Sequence, residues 1–428
     1  MNDEAELVEA ITLQLSENAR RLQVPFEPTP HHFRSQFDRL LCRTAEHYNQ
    51  PVVVLVDEYN KPILDHLTNP EVASVMRNAL RNLYSVLKAR SDCLRFVFLT
   101  GVSKFSQVSL FSGLNNLHDI TVSEEFGSLC GYTDADLDTV FAPEFAAAAA
   151  DGKPLDRDRV RFWYNGYGWG GANRVYNPFD VLLCLAEREY RPWWFETATP
   201  TFLVELLKAR GFFTPQLERT YATHQLLGSF DVGTMPSETL LWQTGYLTIR
   251  SKEQDPAGET TYWLGLPNHE VRKALNEALV NALLPEPPYA LAHDVARALF
   301  EGDSDTLQAH MSHLFASIPS HWYDKAGNYE GYYASVFYSF LASTGVALTA
   351  EAVKAKTRID LVVQAGATVW VIEFKVIEGE EATGAALAQL HARDYAAAYR
   401  HAPGVTRVIE LGVEFSKTTR RIVGWEAR

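Results

Sequence analysis

Residues 358–363 read RIDLVV, and residues 371–375, after a short turn, read VIEFK. Both segments are short and apolar, which predicts two strands that pair as a hairpin. Residues two apart on a strand point to the same face of a sheet, so Glu373 and Lys375 project together while their neighbours face a core. In a hairpin, Asp360 can join them on the polar face.

These three side chains are groups that a metal-dependent hydrolase needs. The carboxylates of Asp360 and Glu373 offer the oxygen ligands that a hard divalent ion prefers, Mg²⁺ or Mn²⁺. The ammonium group of Lys375 can orient the attacking water or stabilise developing negative charge. The hairpin therefore predicts a site that hydrolyses phosphodiester bonds, and the expected partner is a nucleic acid, with DNA ahead of RNA.

Two predicted helices flank the hairpin and bring further polar groups. Glu330 lies in an upstream helix predicted over 329–343, and it can add a metal ligand directly or through water. Gln389 lies in the helix predicted over 382–400, where it can orient Lys375 or the phosphate. Glu330 and Gln389 could therefore both contribute to the site of the hairpin.

Two other interpretations of the hairpin stay open. One is a half-buried hairpin whose charges are exposed to water. The other keeps the fold without the activity, as a module that docks nucleic acid or protein. Unpaired buried charges are strongly destabilising, and a bound cation would offset the repulsion between the carboxylates, which favours the metal site.

The composition limits the class of protein. A chain of 428 residues predicts two or three domains at about 150 residues each. The four cysteines lack CxxC spacing, which argues against a zinc site and against a disulfide framework. No apolar run is long enough to span a membrane and no signal segment opens the chain, so we expect a cytoplasmic protein without a membrane partner.

The charge is unevenly distributed along the chain. The net charge of −14 argues against a general nucleic-acid coat protein, because binding to phosphates normally needs a basic surface. From residue 321 to residue 428, however, 12 basic residues balance 12 acidic ones. The region around the hairpin is therefore the part of the chain that repels a polyanion least.

The N-terminal part predicts a parallel βαβ unit. Residues 51–56 read PVVVLV, a run typical of a strand that is buried on both faces. A predicted helix over 70–90 leads to a second apolar run at 94–99. A strand, a helix and a strand in this order predict a right-handed crossover.

Polar residues follow both of these strands at the edge where open α/β sheets bind ligands. Asp57 would hold Mg²⁺ through water, and Glu58 would polarise the attacking water, as in a Walker B pair. Thr100 or Ser103 would lie where a polar sensor of the γ-phosphate lies. The alternative is a buried strand that ends in two solvated acids.

Several motifs together resemble those of a known family. VVVLVDEYNKPI at 52–63, a long segment at 96–121, WYNGY at 163–167 and VYNPFD at 175–180 are similar to the AAA-ATPase-like bacterial proteins that carry a C-terminal nuclease-like domain. The resemblance extends from about residue 25 to the end of the chain.

This resemblance implies functions for both ends of the chain. Asp57 and Glu58 would be the Walker B pair. The C-terminal part would adopt a restriction-endonuclease-like fold of the PD-(D/E)xK type, in which a glutamine and a tyrosine often lie where Gln389 and Tyr395 stand here.

One departure from the family is large. The phosphate-binding Walker A loop, GxxxxGK[ST], is absent from these 428 residues. Either the natural N-terminus was lost or nucleotide hydrolysis was abandoned, and we expect no significant ATPase activity from this chain, although ATP would serve a full-length relative.

Two alternatives for the whole chain therefore stay open beside the nuclease. One is an inert regulatory protein that senses nucleotide, and the other is a fragment of an ATP-driven nucleic-acid machine. A homo-oligomer is also open, in which Arg77, Arg81 or Arg95 would act as an arginine finger, although solvated helix charges explain these residues more simply.

The predicted fold class is α/β with three domains. Residues 1–130 form a partial AAA-like parallel sheet without the P-loop. Residues 131–319 form a helical lid and a middle helical region with a winged-helix-like element, in which the aromatic loop at 162–180 packs the lid or stacks on bases. A short strand pair is predicted near 240–250 and 260–265, and His269, at the start of a helix, is expected to be a cap or a surface residue. Residues 320–428 form a mixed α/β domain of the restriction-endonuclease type. Its predicted strands cover 346–349, 356–363, 368–376, 405–413 and 421–425.

Overall fold

The computed structural model describes most of the chain. The described residues are 3–27, 32–66, 69–101, 117–170, 172–197, 203–204, 207, 214–218, 220–227, 236–284, 289–318, 329–352, 359–394 and 396–428. They form two compact units, Met1–Ile120 with His224–Thr244 and Thr121–Thr223 with Gly245–Arg428. The three-domain division with boundaries at 130 and 319 stays a prediction.

The described residues form both helices and strands. The helices are α1 Glu4–Arg21, α2 Phe33–Tyr48, α3 Lys61–Leu64, α4 Pro70–Ala89, α5 Asp134–Thr139, α6 Ala142–Ala150, α7 Arg157–Tyr164, α8 Pro178–Glu187, α9 Trp193–Thr197, α10 His224–Leu227, α11 Ser237–Gln243, α12 His269–Leu283, α13 Tyr289–Glu301, α14 Ser304–Ser317, α15 Tyr329–Ser343, α16 Ala385–Arg393 and α17 Ala397–Arg400. The strands are β1 Val52–Val56, β2 Leu94–Leu99, β3 Asn165–Tyr167, β4 Val175–Tyr176, β5 Thr220–Thr223, β6 Thr248–Gln254, β7 Thr260–Gly265, β8 Ala347–Ala352, β9 Ile359–Ala365, β10 Thr368–Ile377, β11 Arg407–Ser416 and β12 Ile422–Ala427. No helix of the described residues is long and apolar enough to cross a bilayer.

The first unit contains the predicted βαβ arrangement. β1 and β2 pair in parallel, and α4 lies between them in the chain. The prediction that β1 is buried on both faces is wrong. Val54 packs against the helices, whereas Val53 and Leu55 are 49% and 70% exposed. One face of this strand pair is thus open among the described residues, and Phe96 of β2 adds to it with 55% exposure.

The aromatic loop of the second unit buries two of its tyrosines. Tyr164 and Tyr176 are fully buried. The Tyr164 hydroxyl accepts from the backbone N–H of Arg191 at 3.0 Å, and the Tyr176 hydroxyl donates to Asp134 at 2.6 Å. These contacts satisfy the polar tips of two large side chains, so packing explains them without a bound base.

Two predictions for the middle of the chain are corrected. Residues 240–243, expected to begin a strand, belong to the helix α11, and the strand β6 begins only at Thr248. His269, expected to be a cap or a surface residue, is buried between Phe162 and Trp163, and burial lowers its pKa to about 4. The helix cap is Asn268, whose side chain accepts from the backbone N–H of Val271 at 3.0 Å.

Two buried carboxyl groups lie next to each other in this unit. Asp180 of α8 and Glu270 of α12 are both fully buried. Burial raises the pKa of each, and the neighbouring acid raises that of Glu270 further. Glu270 also accepts from the backbone N–H of Trp194 at 2.8 Å. Two unscreened negative charges would repel strongly here, so the pair retains a proton in the folded state.

This pair predicts a stability that falls as pH rises. The unfolded chain releases its glutamate proton above about pH 4, whereas folded Glu270 keeps it, so folding stability is lost from there upward toward the raised pKa. We expect Glu270→Gln, which mimics the protonated acid, to raise the thermal unfolding midpoint relative to wild type by about 2–4 °C more at about pH 8 than at about pH 5.

Thermal scans of both proteins across this pH range measure the difference. Glu277→Gln is the matched control on α12, where Glu277 forms a half-exposed ion pair with Lys273. Its pH profile should follow that of the wild type. Identical profiles for all three proteins would contradict the shared proton.

The second unit also contains a mixed sheet of five strands among the described residues. Its order is β12-β11-β10-β9-β8, with β10 and β11 parallel and the other pairs antiparallel. One face packs on α12–α15 through residues such as Trp370, Phe374 and Phe415. α16 packs on the other face through Leu390.

One predicted helix of this sheet domain is broken. The segment 382–400 forms α16 and α17 with a turn between them, because Asp394 adopts a left-handed conformation with φ of 47°. Tyr395 lies outside the described residues. Gly384, with φ of 69°, precedes α16 and offers no side chain to cap it. The strand predicted at 405–413 runs instead as β11 to Ser416.

Candidate active site

The predicted hairpin is present, and its register brings two acidic positions together. β9 and β10 are antiparallel with Asp360 directly opposite Glu373. Directly opposed residues lie on one face of a sheet with Cβ atoms about 4.5–5.5 Å apart. The side chain of Glu373 is buried, with 1% exposure, although it carries an acid. The prediction that the strands pair as a hairpin is therefore confirmed.

A further acid occupies the same row of the sheet. Glu351 of β8 is paired with Asp360, which is paired in turn with Glu373. The backbone register thus places three acidic residues in one row across β8, β9 and β10. Sequence reasoning missed Glu351 because the strand predicted there ended at residue 349.

Gln389 of α16 contacts the site through Glu373. Its Nε2 donates to Glu373 Oε1. The sequence suggested Lys375 or a phosphate as the partner of this amide. The structure instead gives Gln389 a carboxylate to orient, because α16 lies over the strand that carries Glu373.

Lys375 lies two residues beyond Glu373 on β10 and is half-buried. It stands beside Glu414 in the parallel register with β11. In the part of the chain that the structure describes, no ion pair joins the Lys375 ammonium to Glu373 or to any other acid within 4.0 Å. Its charge is therefore not neutralised by Glu373.

Glu414 is an unpredicted polar residue of this region. Its buried carboxylate accepts from Thr383 N at 2.5 Å, from Thr383 Oγ1 at 2.8 Å and from Ala386 N at 3.2 Å. Burial by itself would raise the pKa of Glu414, but these hydrogen bonds outweigh it and hold the pKa below its ordinary value. The group is thus charged at neutral pH.

Gly412 sets the distance between α16 and the sheet. It stands opposite Glu373 in the parallel register. A Cβ atom on Gly412 would lie 2.4 Å from the backbone nitrogen of Leu387 and 2.9 Å from its Cα. Only a residue without a side chain allows the helix backbone to approach the strand this closely.

Not every predicted site residue has a described side chain. Glu330 lies in the first turn of α15, as predicted, but its side chain and that of Asp360 are outside the described part. Among the side chains that are described, no group of three or more acids, histidines or cysteines could hold a metal ion. Asp360 is therefore placed by the backbone register of β9 with β10.

The predicted ATPase residues of the first unit are partly brought together. The Asp57 carboxylate accepts from Thr100 Oγ1 at 2.5 Å and from the backbone N–H of Glu58 at 2.9 Å. Both acids are exposed, and Glu58 adopts a left-handed conformation with φ of 51°. The ends of β1 and β2 thus bring Asp57 and Thr100 together, whereas Ser103 lies outside the described residues.

Comparisons with known proteins agree with this architecture. Residues 1–111 match a family model described as predicted AAA-ATPase, and residues 328–425 match a model of the PD-(D/E)XK nuclease superfamily. A protein of Azotobacter chroococcum mcd 1, described as an uncharacterized protein in the vnfD 5' region, is 48% identical over 396 residues, which make up 92% of this chain and 74% of that protein. No solved structure matches the chain.

Proposed function

Because this chain belongs to the family of AAA-ATPase-like proteins with a C-terminal domain of the PD-(D/E)XK nuclease superfamily, we propose that this domain is a metal-dependent phosphodiesterase acting on nucleic acid. The observation that carries the proposal is the pairing of Asp360 with the buried carboxylate of Glu373. A buried carboxylate opposite a second acid is poorly explained by packing, since two like charges close together in a low-dielectric environment repel strongly.

The donor set fits a hard divalent ion. Asp360 and Glu373 would supply carboxylate oxygens, the ligands that Mg²⁺ and Mn²⁺ prefer, and Glu330 is proposed as a further ligand. When bound, such an ion supplies Lewis-acid chemistry and a more acidic water. The side chains of Asp360 and Glu373 would hold it on the face of the sheet that α16 covers.

The other residues would position the reacting groups. Gln389 donates to one oxygen of Glu373 and so fixes the orientation of that carboxylate. Lys375, which Glu373 does not neutralise, would orient the attacking water or stabilise negative charge on the phosphate in the transition state.

We propose a separate function for the first unit, in which Asp57 and Glu58 correspond to a Walker B pair. The hydrogen bond from Thr100 supports the sensor position given to that threonine. Three further functions stay predictions: binding of ATP, assembly into a homo-oligomer, and a function within a larger ATP-driven machine. Each would need partners or groups other than those described.

A cleavage assay tests the proposal directly. The purified chain should cut single- or double-stranded DNA when Mg²⁺ or Mn²⁺ is present and should stop when EDTA is added. RNA of the same sequence, run in parallel, measures the preference between nucleic acids. Cleavage that is equally fast in EDTA, or no cleavage of any substrate with either ion, would refute the proposed function.

A further inference from the structure

The geometry of the sheet points to a positioning residue that lies outside the proposed ligand set. We propose that Glu414 holds the first turn of α16 in place, so that Gln389 reaches Glu373. This inference rests on the proposed function, because the site that Glu414 supports is the phosphodiesterase site. Glu414 is not placed to act on the substrate, and its effect passes through the helix.

The first step of the argument concerns the start of α16. The first N–H groups of any helix lack partners within the helix, and an anion near them is stabilising. Gly384 supplies no capping side chain. Glu414, which lies on the neighbouring strand β11, caps the helix instead, since its carboxylate accepts from the backbone N–H groups of Thr383 and Ala386. The helix is therefore capped by the sheet on which it lies.

The second step concerns where this cap places the helix. Glu414 stands beside Lys375 in register, and Gly412 stands beside Glu373. Contact at Gly412 sets the height of α16 above the sheet, while the bonds to Glu414 set its position along the strands. With both fixed, Gln389 lies where its amide donates to Glu373. Loss of the cap should leave the sheet intact and release this amide.

The experiment compares Glu414→Ala with wild type in the full chain. Cleavage rates are measured against Mn²⁺ concentration, and we expect the concentration for half-maximal rate to rise by about 10–100-fold, as for loss of other residues that orient metal ligands. Glu414→Gln keeps one accepting oxygen, so its Mn²⁺ concentration for half-maximal rate should lie between those of wild type and Glu414→Ala. A cap with a purely structural function would lower the unfolding midpoint without changing the dependence on Mn²⁺.

Two more variants keep the test interpretable. Thr383→Ala removes the hydroxyl that donates to Glu414 and accepts from the backbone N–H of Ala385, and it leaves the other bonds to Glu414 in place. The variant should fold and should shift the Mn²⁺ dependence in the same direction by a smaller factor. Ser416→Ala is the control, because this buried residue of the same strand bonds the turn at Thr419 instead of α16. An unchanged Mn²⁺ dependence in Thr383→Ala and in both Glu414 variants would overturn the proposal.

A second readout separates this inference from the proposed function. The side-chain amide resonance of Gln389, assigned by its absence in Gln389→Leu, reports the bond to Glu373 without any cleavage. The chemical shift of this resonance should move toward that of a solvated amide in Glu414→Ala and should stay unchanged in Ser416→Ala. If wild type fails to cleave, the proposed function fails, and this resonance alone decides whether Glu414 positions the helix. A resonance unchanged in Glu414→Ala overturns that function of Glu414.

Discussion

Replacing Glu373 by glutamine is expected to lower kcat/KM for metal-dependent cleavage by about 10³-fold or more, because a metal ligand supplies several kcal/mol of stabilisation to the transition state. The change keeps the size of the side chain and an oxygen that can accept from Gln389. It removes the negative charge that would hold the divalent ion. Single-turnover cleavage rates, with Mn²⁺ binding measured by calorimetry, report the rate and the metal affinity separately.

Lys375→Ala and a charge control complete this experiment. Loss of the ammonium group should slow cleavage by about 10²–10³-fold while leaving Mn²⁺ binding in place, since lysine is proposed to act on the water or the phosphate. Glu378→Gln removes an exposed acid just beyond β10, where it pairs with Lys417, and should cleave like wild type. Wild-type rates in both Glu373→Gln and Lys375→Ala would show that the assignment of the site is mistaken.

Replacing Phe415 by alanine is expected to destabilise the C-terminal sheet by about 3–5 kcal/mol, the range typical for deletion of a buried phenylalanine. Phe415 is fully buried on the face of the sheet away from the candidate site. Its ring stacks on Tyr333 at 4.5 Å and meets the edge of Phe315 at 4.8 Å. The cavity would lie between rigid rings on two helices, which limits how far the structure can collapse to fill it.

Hydrogen exchange in the full chain measures this effect locally. Amides of β10 and β11 should exchange about 10²–10⁴-fold faster in Phe415→Ala if they open with the sheet. Phe300→Ala is the control, because Phe300 of α13 is 55% exposed and its loss should change stability by less than about 0.5 kcal/mol. Equal exchange in both variants would argue against Phe415 as a core residue.

Short-range patterns predicted much of this fold. The helix α15 and the hairpin of β9 and β10 follow from apolar patterns within a few residues. The parallel pair of β1 and β2 follows from the rule for a strand, a helix and a strand in this order, and all three were expected from the sequence. The hairpin register could be expected because a short turn joins strands whose polar residues must share a face. The backbone register accordingly pairs the positions of Asp360 and Glu373.

Contacts between distant segments could not be predicted in the same way. The bonds of Glu414 to Thr383 depend on the parallel register of β10 and β11, which no local pattern specifies. The pairing of Asp180 with Glu270 likewise joins segments far apart in the chain. The exposure of Leu55 depends on what covers a strand, whereas an apolar run indicates only that covering would be favourable.

The parallel pairing of β10 and β11 also bears on when the site assembles during folding. The hairpin that pairs Asp360 with Glu373 closes a small loop and can form early, whereas β11 docks only after a long crossover has closed. During synthesis, the strand with Glu414 leaves the ribosome well after the hairpin. A nascent chain would therefore carry the acids without an anchored α16, and its proposed cleavage activity would begin only once the crossover is complete.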